Sequence, residues 1–502
     1  MTKPLVTTCV LLLLAAACVG DDVTSVGSSS SSTGSSGTGS SGTGDPDGSP
    51  QSSTLTVTAP GIALVRGDSS AIQAVLSWSG PARSITLSLE APLGFSVAPP
   101  QTIAPTETSA SLQLSADAQA PYGSATVNVV ARIEGSDAIV KTPVAVDVRG
   151  VVGTLDTSYG NAGVVDFNPD NGALADVALA DSGELLAVTE FGTLARYDAA
   201  GRLDTNYRQR CESTLGEDHM AYRHAIELGP NGTWSVIVHH ASGDYDVFGH
   251  CTMAAAPDNS VTHDPIAHSN YEVPDSPLGL VSLGTSTLVI QDWAATSGPA
   301  TVTALDANTE RVTTWGSNGV VKLIATAPSV QPYRLSDFRA SAENVFVLGE
   351  AAGSWSVDVL QRTTGALRGR VDVAPSLRTM SRPGPSGAVT LVKSNAQPCL
   401  AEIVPGQQNP IPSRCDGDTD SRDALAVYLR DGRRAVVAVG MTTTLWFFDN
   451  AGTPLPPLNG YDLKTPLPDY HLVALYEDAS RRLVIAAASN TGRSWFVRRY
   501  WL

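Results

Sequence analysis

Residues 175–201 read ADVALADSGELLAVTEFGTLARYDAAG, which is three short apolar runs separated by turns that contain Gly and Asp. Alternation of apolar and polar residues over about four to eight positions is typical of β-strands, and Gly and Asp favour the turns between them. The stretch therefore predicts three antiparallel strands in succession.

The same form returns along the rest of the chain. The first turns of the similar segments fall near residues 183, 232, 286, 343, 387, 432 and 481. The first and last of these turns are 298 residues apart, about 50 residues per step, which is typical of one β-propeller blade. The spacing predicts an all-β chain whose residues 150–502 form a seven-bladed β-propeller. Six blades plus an irregular hairpin are the alternative, because Pro383 and Pro385 in the fifth segment suit an edge or a loop.

A different pattern fills residues 54–149. Short strands alternate with turns such as APLG and APYG, and SITLSLE, TVNVVARI and PVAVDV each place their apolar residues on one face. About seven such runs predict a two-sheet β-sandwich. The stretch at residues 101–131 resembles the immunoglobulin-like modules of bacterial secreted proteins, and this resemblance implies an immunoglobulin-like sandwich ahead of the propeller.

One motif occurs between the repeats. LDTSYGNAGVVDF at residues 155–167 has a partial copy, TTWGSNGVVKL, at residues 313–323. The motif resembles the delta-sixty repeat of bacterial exported propeller-like proteins. The match is carried in the first copy by Leu155, Asp156, Ser158, Tyr159, Gly160, Gly163, Val164 and Val165, and in the second by Trp315, Gly316, Gly319, Val320 and Val321.

The motif also predicts how the ring closes. Gly160 and Gly163 permit backbone angles that other residues avoid, so the chain can turn there from one blade to the next. The chain ends directly after the third strand of the last repeat. We therefore expect residues 163–167 to add the missing outer strand of that last blade and so remove an exposed edge.

The N-terminus predicts an export signal and a tether. Residues 1–17 combine Lys3 with an apolar run that is too short to span a membrane, and LAAAC ending at Cys18 resembles a bacterial lipobox. The resemblance implies a lipidated Cys18, and Val19 after it favours the outer membrane. The Ser-, Gly- and Thr-rich remainder of residues 18–53 cannot form a core, so it is expected to be a flexible linker. Ordinary signal cleavage, with Cys18 incidental, is the alternative.

Composition limits the partners. The chain has 49 acidic and 32 basic residues, a formal net charge of −17. Such a charge repels nucleic-acid phosphates and anionic membrane surfaces, and we see no basic patch. The predicted partners are a protein or a glycan at the cell surface, with membrane contact through the lipid anchor only and no nucleic acid.

Four cysteines remain after the signal and Cys18. They are Cys211, Cys251, Cys399 and Cys415. An even number in an exported chain favours disulfides. Three pairings are possible; the sequential pairs, Cys211 with Cys251 and Cys399 with Cys415, are preferred because each falls within one repeat. A thiolate metal site is the alternative, but no CxxC spacing supports it.

Two clusters are candidate ion or ligand sites. Most histidines fall in or near the second repeat: His219, His224, His239, His240, His250, His263 and His268. A tight hairpin there would set Tyr222 opposite His239, with His224 diagonal on the same face and near enough to share a metal ion. Scattered surface histidines are the alternative.

The second cluster is an acidic loop, CDGDTDSRD, with Asp416, Asp418 and Asp420 at alternate positions and Asp423 after them. It resembles the calcium loops of some propellers, and alternating carboxylates suit Ca²⁺. A solvated acidic loop is the alternative reading, and no other cofactor is predicted.

The chain contains no nucleophile elbow, phosphate-binding loop or HExxH zinc motif, so no catalytic residue is predicted. The leading hypothesis is a lipoprotein of the bacterial cell envelope that displays its propeller as a binding or scaffold module. A propeller enzyme, either a metal-assisted lyase or a hydrolase, is the second hypothesis. A structural spacer without its own ligand is the third.

Overall fold

A computed structural model describes the chain from Thr54 to Leu502 with gaps. The described residues are 54–166, 174–189, 193–210, 220–228, 234–242, 245–253, 261–265, 277–282, 286–291, 300–306, 311–323, 334–351, 353–374, 377, 379–393, 398–407, 424–439, 442–457, 460–464, 470–489 and 494–502. The predicted signal, the predicted lipidation site at Cys18 and the predicted linker lie outside them. Every regular element in the described residues is a strand. The described residues contain no helix that is long and apolar enough to cross a membrane.

Residues 54–149 form two sheets. Their strands are β1 (Thr54–Thr58), β2 (Ile62–Val65), β3 (Ser69–Ser79), β4 (Ile85–Glu90), β5 (Phe95–Val97), β6 (Gln101–Ile103), β7 (Ser109–Ala116), β8 (Gly123–Ile133) and β9 (Ile139–Arg149). One sheet has the order β1-β3-β7-β5 and the other β2-β9-β8-β4-β6. The pairing of β2 with β9 is parallel.

The core of this region lies between the two sheets, as the alternation predicts. The residues expected to face inward are all buried in one cluster: Ile85, Leu87, Leu89, Val127, Val129, Ala131, Ile133, Val144, Val146 and Val148. Alternate positions of an extended strand point to opposite faces, so a period of two buries one face of each sheet. The predicted two-sheet sandwich is confirmed.

Small antiparallel sheets follow from residue 150 onward. The first three, in chain order, use β11 (Leu174–Leu179), β12 (Leu185–Thr189), β13 (Thr193–Tyr197) and β14 (Leu203–Arg210); β15 (Met220–Leu228), β16 (Trp234–Ser242), β17 (Tyr245–Met253) and β18 (Val261–Pro265); and β19 (Pro277–Ser282), β20 (Ser286–Gln291), β21 (Ala300–Asp306) and β22 (Val320–Leu323). A short strand, β10 (Val164–Asp166), precedes them. In each of the three sheets the strands are neighbours in sequence order.

The later sheets follow the same plan. They use β23 (Arg334–Ala340), β24 (Asn344–Ala351), β25 (Ser354–Gln361) and β26 (Leu367–Val373); β27 (Thr379–Met380), β28 (Val389–Lys393) and β29 (Cys399–Ile403); β30 (Ala424–Tyr428), β31 (Arg434–Val439), β32 (Thr443–Phe448) and β33 (Tyr461–Asp462); and β34 (Tyr470–Glu477), β35 (Arg482–Ser489) and β36 (Trp495–Trp501). Six of the seven first turns expected from the sequence fall at the connection between the first two strands of a sheet, and the one expected near residue 286 falls at the first residue of β20.

The first strands of these sheets lie around a common axis. Strand β11 contacts β15, and the contacts continue in order through β19, β23, β27, β30 and β34, with β34 contacting β11 in turn. Each sheet thus packs on the next and the last packs on the first. This is the architecture of a β-propeller, as predicted.

The fifth sheet is the smallest in the described part of the chain. Its first strand, β27, has two residues, and the sheet contains three strands. Pro383 and Pro385 lie in the connection between β27 and β28. This agrees with the expectation that they suit a loop, since proline cannot donate a ladder hydrogen bond.

The predicted ring closure is confirmed. Strand β10 pairs antiparallel with β36, with Val164 opposite Arg498, Val165 opposite Val497 and Asp166 opposite Phe496. The sheet order is therefore β10-β36-β35-β34. The beginning of the ring covers the outer edge of its last sheet.

Glycines in the closing motif allow the sharp turn before β10. Gly160 and Gly163 have φ angles of 54° and 95°, in the left-handed region. A Cβ on Gly160 would lie 2.4 Å from the Val164 carbonyl oxygen, so only glycine fits.

Tyr159 fixes this segment against the next sheet. Its side chain is 1% exposed, and a Cβ on Gly201, in the turn between β13 and β14, would lie 2.8 Å from its ring. The backbone N–H of Gly160 donates to the carbonyl of Ala200 in the same turn at 2.7 Å. The motif thus joins the outer strand of one sheet to the outer turn of the next.

The second copy repeats the arrangement. Trp315 is 1% exposed and packs against Gly365, whose Cβ would lie 2.9 Å from the indole. The N–H of Gly316 donates to the carbonyl of Thr364, in the turn between β25 and β26, at 2.7 Å. In both copies an aromatic ring and a glycine N–H therefore contact the turn between the third and fourth strands of the following sheet.

Buried charges hold the closing segment. Asp156 is fully buried, and its Oδ2 lies 2.9 Å from Nε of both Arg482 and Arg499. Its Oδ1 accepts from the Ser158 hydroxyl at 2.6 Å. Asp478 adds a second carboxylate, 3.4 Å from Nη1 of Arg499. Buried charges are tolerated when they are paired in this way.

A stack of rings and guanidinium groups joins the sandwich to the ring of sheets. The Arg66 guanidinium lies 3.3 Å from the centroid of Tyr122, Tyr122 lies 4.7 Å from Trp501, and Arg482 covers the Trp501 ring at 4.0 Å. Gly150 passes beside this stack, and a Cβ there would lie 2.2 Å from Cδ1 of Trp501.

Gly150→Ala is therefore expected to destabilise the protein by about 1–3 kcal/mol, because the added methyl group must displace a buried indole. The measurement is urea unfolding followed by tryptophan fluorescence. Gly369→Ala is the matched control, since nothing lies within 4 Å of its Cβ position, and no loss is expected there. Equal stabilities of the two variants would contradict the tight packing at Gly150.

Candidate functional site

A cavity of about 860 Å³ lies at the axis of the ring. Its walls come from the first strands of several sheets, including Asp176 of β11, Arg339 of β23 and Tyr476 of β34. At one end it is bounded by two turns, 341–343 after β23 and 381–388 after β27. Its size lies within the usual range for a small-molecule site.

Two half-buried aspartates, Asp176 and Asp337, line or adjoin this cavity in the same way. Asp176 Oδ1 accepts from its neighbour Val177 N at 2.8 Å, and Oδ2 accepts from Ile226 N of the next sheet at 3.0 Å. The strand pairing is irregular directly before Asp176, between Leu174 and Asp176, and directly before the second aspartate, Asp337. Such an irregularity turns the carboxylate toward the neighbouring sheet.

Asp337 repeats the contact pattern three sheets later. It accepts from Phe338 N at 2.8 Å and from Met380 N of the next sheet at 2.7 Å. Burial raises the pKa of both Asp176 and Asp337. Both side chains connect neighbouring first strands, so their role is to hold the ring together around the cavity.

Asp176→Ala is expected to lower the free energy of unfolding by about 1–3 kcal/mol, because it leaves two backbone N–H groups without acceptors. Asp181→Ala is the control, since that side chain is fully exposed and lies 4.0 Å from Arg430; a change within about 0.5 kcal/mol is expected there. Thermal or urea unfolding measures both. If Asp176→Ala lowered the free energy of unfolding no more than the control does, the structural role of Asp176 would be contradicted.

Tyr476 and Arg382 form a pair at the cavity wall. The buried Tyr476 hydroxyl donates to the carbonyl oxygen of Val177 and accepts from Nη2 of Arg382 at 2.7 Å. The Arg382 guanidinium also lies over the Tyr476 ring, 4.3 Å from its centroid. Burial raises the pKa of Tyr476 to about 12, so its hydroxyl stays protonated at neutral pH.

Arg339 is a second guanidinium at the cavity. Its Nη1 lies 2.6 Å from Asp337 Oδ1 and donates to the Phe338 carbonyl at 2.7 Å. Its Nε donates to the Met380 carbonyl at 3.1 Å. Arg339 is therefore held against the cavity wall, where its charge neutralises that of the Asp337 carboxylate.

The histidine hypothesis loses the register on which it depended. The backbone pairs His239 with Arg223 and His224 with Val238, after an irregularity between Ala221 and Arg223. The register is unbroken from Leu228 opposite Trp234 to Arg223 opposite His239, so the expected pairing of Tyr222 with His239 is wrong by one residue. A ligand site at His224 and His239 stays a prediction. Among the residues that the structure describes, no group of three or more His, Cys, Asp or Glu is placed to hold a metal ion.

The other predicted sites fall mostly outside the described residues. Asp416, Asp418, Asp420 and Asp423 all lie outside them, so the calcium loop stays a prediction. Cys399 is disulfide-bonded. Cys211 and Cys415 also lie outside the described residues, so the pairing of the cysteines stays a prediction.

Sequence reasoning missed the residues of the cavity. Arg382 stands in SRPGPSG, a stretch notable in the sequence only for its prolines, and Tyr476 stands in an ordinary strand run. An isolated arginine before a rigid turn is the one local signal that could have pointed there.

Comparison with known proteins concerns the fold alone. No family model and no curated protein matches the chain. Solved structures that resemble it include one titled "Structure of Dos1 propeller", with 12% identity, a TM-score of 0.39 and coverage of 65% of this chain and 78% of that one. Another is a chain of the mitotic checkpoint complex, with 9% identity, a TM-score of 0.41 and coverage of 68% and 89%. A third is an aldose sugar dehydrogenase from Streptomyces coelicolor in its PQQ-bound form, with 11% identity, a TM-score of 0.34 and coverage of 67% and 95%.

Proposed function

We propose that this chain is a binding module of the bacterial cell envelope, in which a propeller presents a ligand site at its axis. In this proposal the successive small sheets are seven blades, the sandwich ahead of them is immunoglobulin-like, and a lipid on Cys18 together with the linker tethers both to the outer membrane. The partner is a protein or a glycan at the cell surface.

The axial cavity is the observation that carries the proposal. It measures about 860 Å³, within the range of small-molecule sites, and its walls expose more polar than apolar surface, including the Arg382 guanidinium. A polar lining favours a polar ligand, whose groups replace the hydrogen bonds that the walls make to water. The aspartates around it accept from backbone N–H groups of neighbouring strands and so hold its walls in place.

Blocking the cavity tests the proposal. Ala342 and Ser386 both line its end and both are exposed, so a bulky side chain fits there without entering the core. The full chain is applied to arrays of acidic and neutral oligosaccharides and of peptides. We expect wild-type protein to retain a ligand that Ala342→Trp and Ser386→Trp do not.

Ala138→Trp is the matched control, because Ala138 is an exposed alanine of the sandwich. It is expected to bind as the wild type does. Ligands retained equally by all four proteins would contradict a site in the cavity.

The tether is tested separately. Cys18→Ala is expected to move the protein from the membrane fraction to the soluble fraction of the cells, because removing the acyl chains removes the anchor. Retention of this variant in the membrane fraction would contradict the lipid anchor and leave the cavity proposal standing.

A further inference from the structure

Arg382 is an exposed residue that differs in its partners from two less exposed arginines of the ring. Arg370 lies 2.6 Å from Asp358, and Arg434 lies 2.7 Å from Glu402. In the part of the chain that the structure describes, no carboxylate lies within ion-pair distance of Arg382, and its recorded hydrogen bond goes to the neutral Tyr476 hydroxyl.

The orientation of Arg382 is nevertheless fixed. Its guanidinium lies over the Tyr476 ring, and one Nη2 hydrogen bond ties it to the hydroxyl. That hydroxyl donates in turn to the Val177 carbonyl, so its own position is set. A guanidinium has five N–H donors, and one is used here, which leaves four without a protein acceptor in the described residues.

The turn that carries Arg382 is also held in place. Gly384 N donates to the Ala388 carbonyl and Gly387 N donates to the Gly384 carbonyl, both at 2.8 Å. Pro383 fixes one backbone angle directly after the arginine. A Cβ on Gly384 would lie 2.6 Å from the Tyr428 ring, which shows that the turn packs closely on the neighbouring sheet.

The nearby carboxylates do not compete for these donors. Asp176 and Asp337 direct their oxygens to backbone N–H groups of neighbouring strands. Glu343, at the cavity end, is 78% exposed and lies 3.7 Å from Arg368. Arg382 is exposed and lines the cavity, so its remaining donors are open to a ligand there.

From this geometry we infer that Arg382 and Tyr476 form an anion-binding subsite, which accepts a carboxylate or phosphate group of the ligand that enters the axial cavity. A planar guanidinium presents parallel N–H groups that match the paired oxygens of either anion. Nη2 of Arg339, which has no recorded partner in the described residues, adds a second cationic donor at the same cavity. The inference rests on the proposed binding function and names the chemistry of its ligand.

The test uses isothermal titration of the full chain with phosphate, with malonate and with malonamide as the uncharged analogue of malonate. Wild-type protein is expected to bind at least one of the two anions and not malonamide. Arg382→Gln is expected to weaken that binding about 10- to 100-fold, since a hydrogen-bonded charge is lost. Arg382→Lys keeps the charge but not the paired donors, so an intermediate loss is expected.

Arg430→Gln is the control, because Arg430 is a half-exposed arginine outside the cavity. Urea unfolding of each variant checks that the fold is kept. Binding of phosphate indicates a subsite for phosphate groups, and binding of malonate indicates a subsite for carboxylate groups. Failure of both anions to bind, or equal binding by wild type and Arg382→Gln, would overturn the inference.

The outcome also separates the subsite from the proposed function. If an array ligand is lost in Ala342→Trp but retained in Arg382→Gln, the cavity binds a ligand by other groups and only the anion subsite is wrong. If Ala342→Trp retains that ligand, the proposed function itself is wrong.

Discussion

Replacing Asp156 with alanine is expected to lower the free energy of unfolding by about 3–5 kcal/mol, since it removes one partner of a buried ion-pair cluster. Asp156 is fully buried, and it lies 2.9 Å from Nε of both Arg482 and Arg499. Without it, two buried guanidinium groups lose the carboxylate that they share, and Asp478 lies 3.4 Å from Nη1 of Arg499 only. The measurement is urea unfolding at neutral pH.

The position of Asp156 adds a local prediction. The residue precedes β10, the strand that covers the last sheet, so its loss should loosen the closing segment first. Amide hydrogen exchange of residues 164–166 is expected to accelerate more than that of β35 in the same variant, because edge pairing opens before central pairing.

Asp147→Ala is the control for this experiment. Asp147 forms an ion pair with Arg149, but both side chains are about 40% exposed. Exposed pairs contribute about 0–1 kcal/mol, so a small change is expected. If Asp156→Ala behaved like this control, the buried cluster would not be what holds the ring closed.

Trp315→Ala is the second variant with a large expected effect. The indole is 1% exposed, packs beside Gly365 and donates from Nε1 to the Arg362 carbonyl at 2.9 Å. Removing a buried tryptophan side chain typically costs about 3–5 kcal/mol. Urea unfolding is again the measurement, and Trp315→Phe, which keeps an aromatic ring in place, should lose less.

Trp78 supplies the comparison. It is half-buried in the sandwich, and its Nε1 donates to the Pro81 carbonyl at 3.0 Å. Trp78→Ala should therefore cost clearly less than Trp315→Ala. Similar losses in the two variants would mean that the second copy of the motif does not join neighbouring sheets as described.

Much of the fold could be predicted because its causes are local. The alternation in SITLSLE predicts that Leu87 and Leu89 are buried in the core, because successive residues of a strand face opposite sides of the sheet, and both are buried. Gly160 and Gly163 predicted a sharp turn because few other residues adopt their φ angles. The addition of residues 164–166 to the last sheet followed from the repeat, because that sheet needed an outer strand.

The register of the second sheet could not be predicted in the same way. The register that runs from Leu228 opposite Trp234 to Arg223 opposite His239 differs by one residue from the expected pairing of Tyr222 with His239. The register of a hairpin is set by the type and length of its turn, and the local pattern of polar and apolar residues does not encode it.

The sequence by itself determined the strands, their turns, the length of the repeat and the strand that closes the ring. Only the tertiary structure decided which side chains meet at the axis and at the closure. Arg382 and Tyr476 are hydrogen-bonded although they lie 94 residues apart in the sequence. The hydrogen bond between Tyr476 and Val177 joins residues 299 apart, and the one between Asp156 and Arg499 joins residues 343 apart. The physical reason is that periodicity records which face of a strand is buried, whereas contacts at the axis depend on how every sheet packs against its neighbours around the ring.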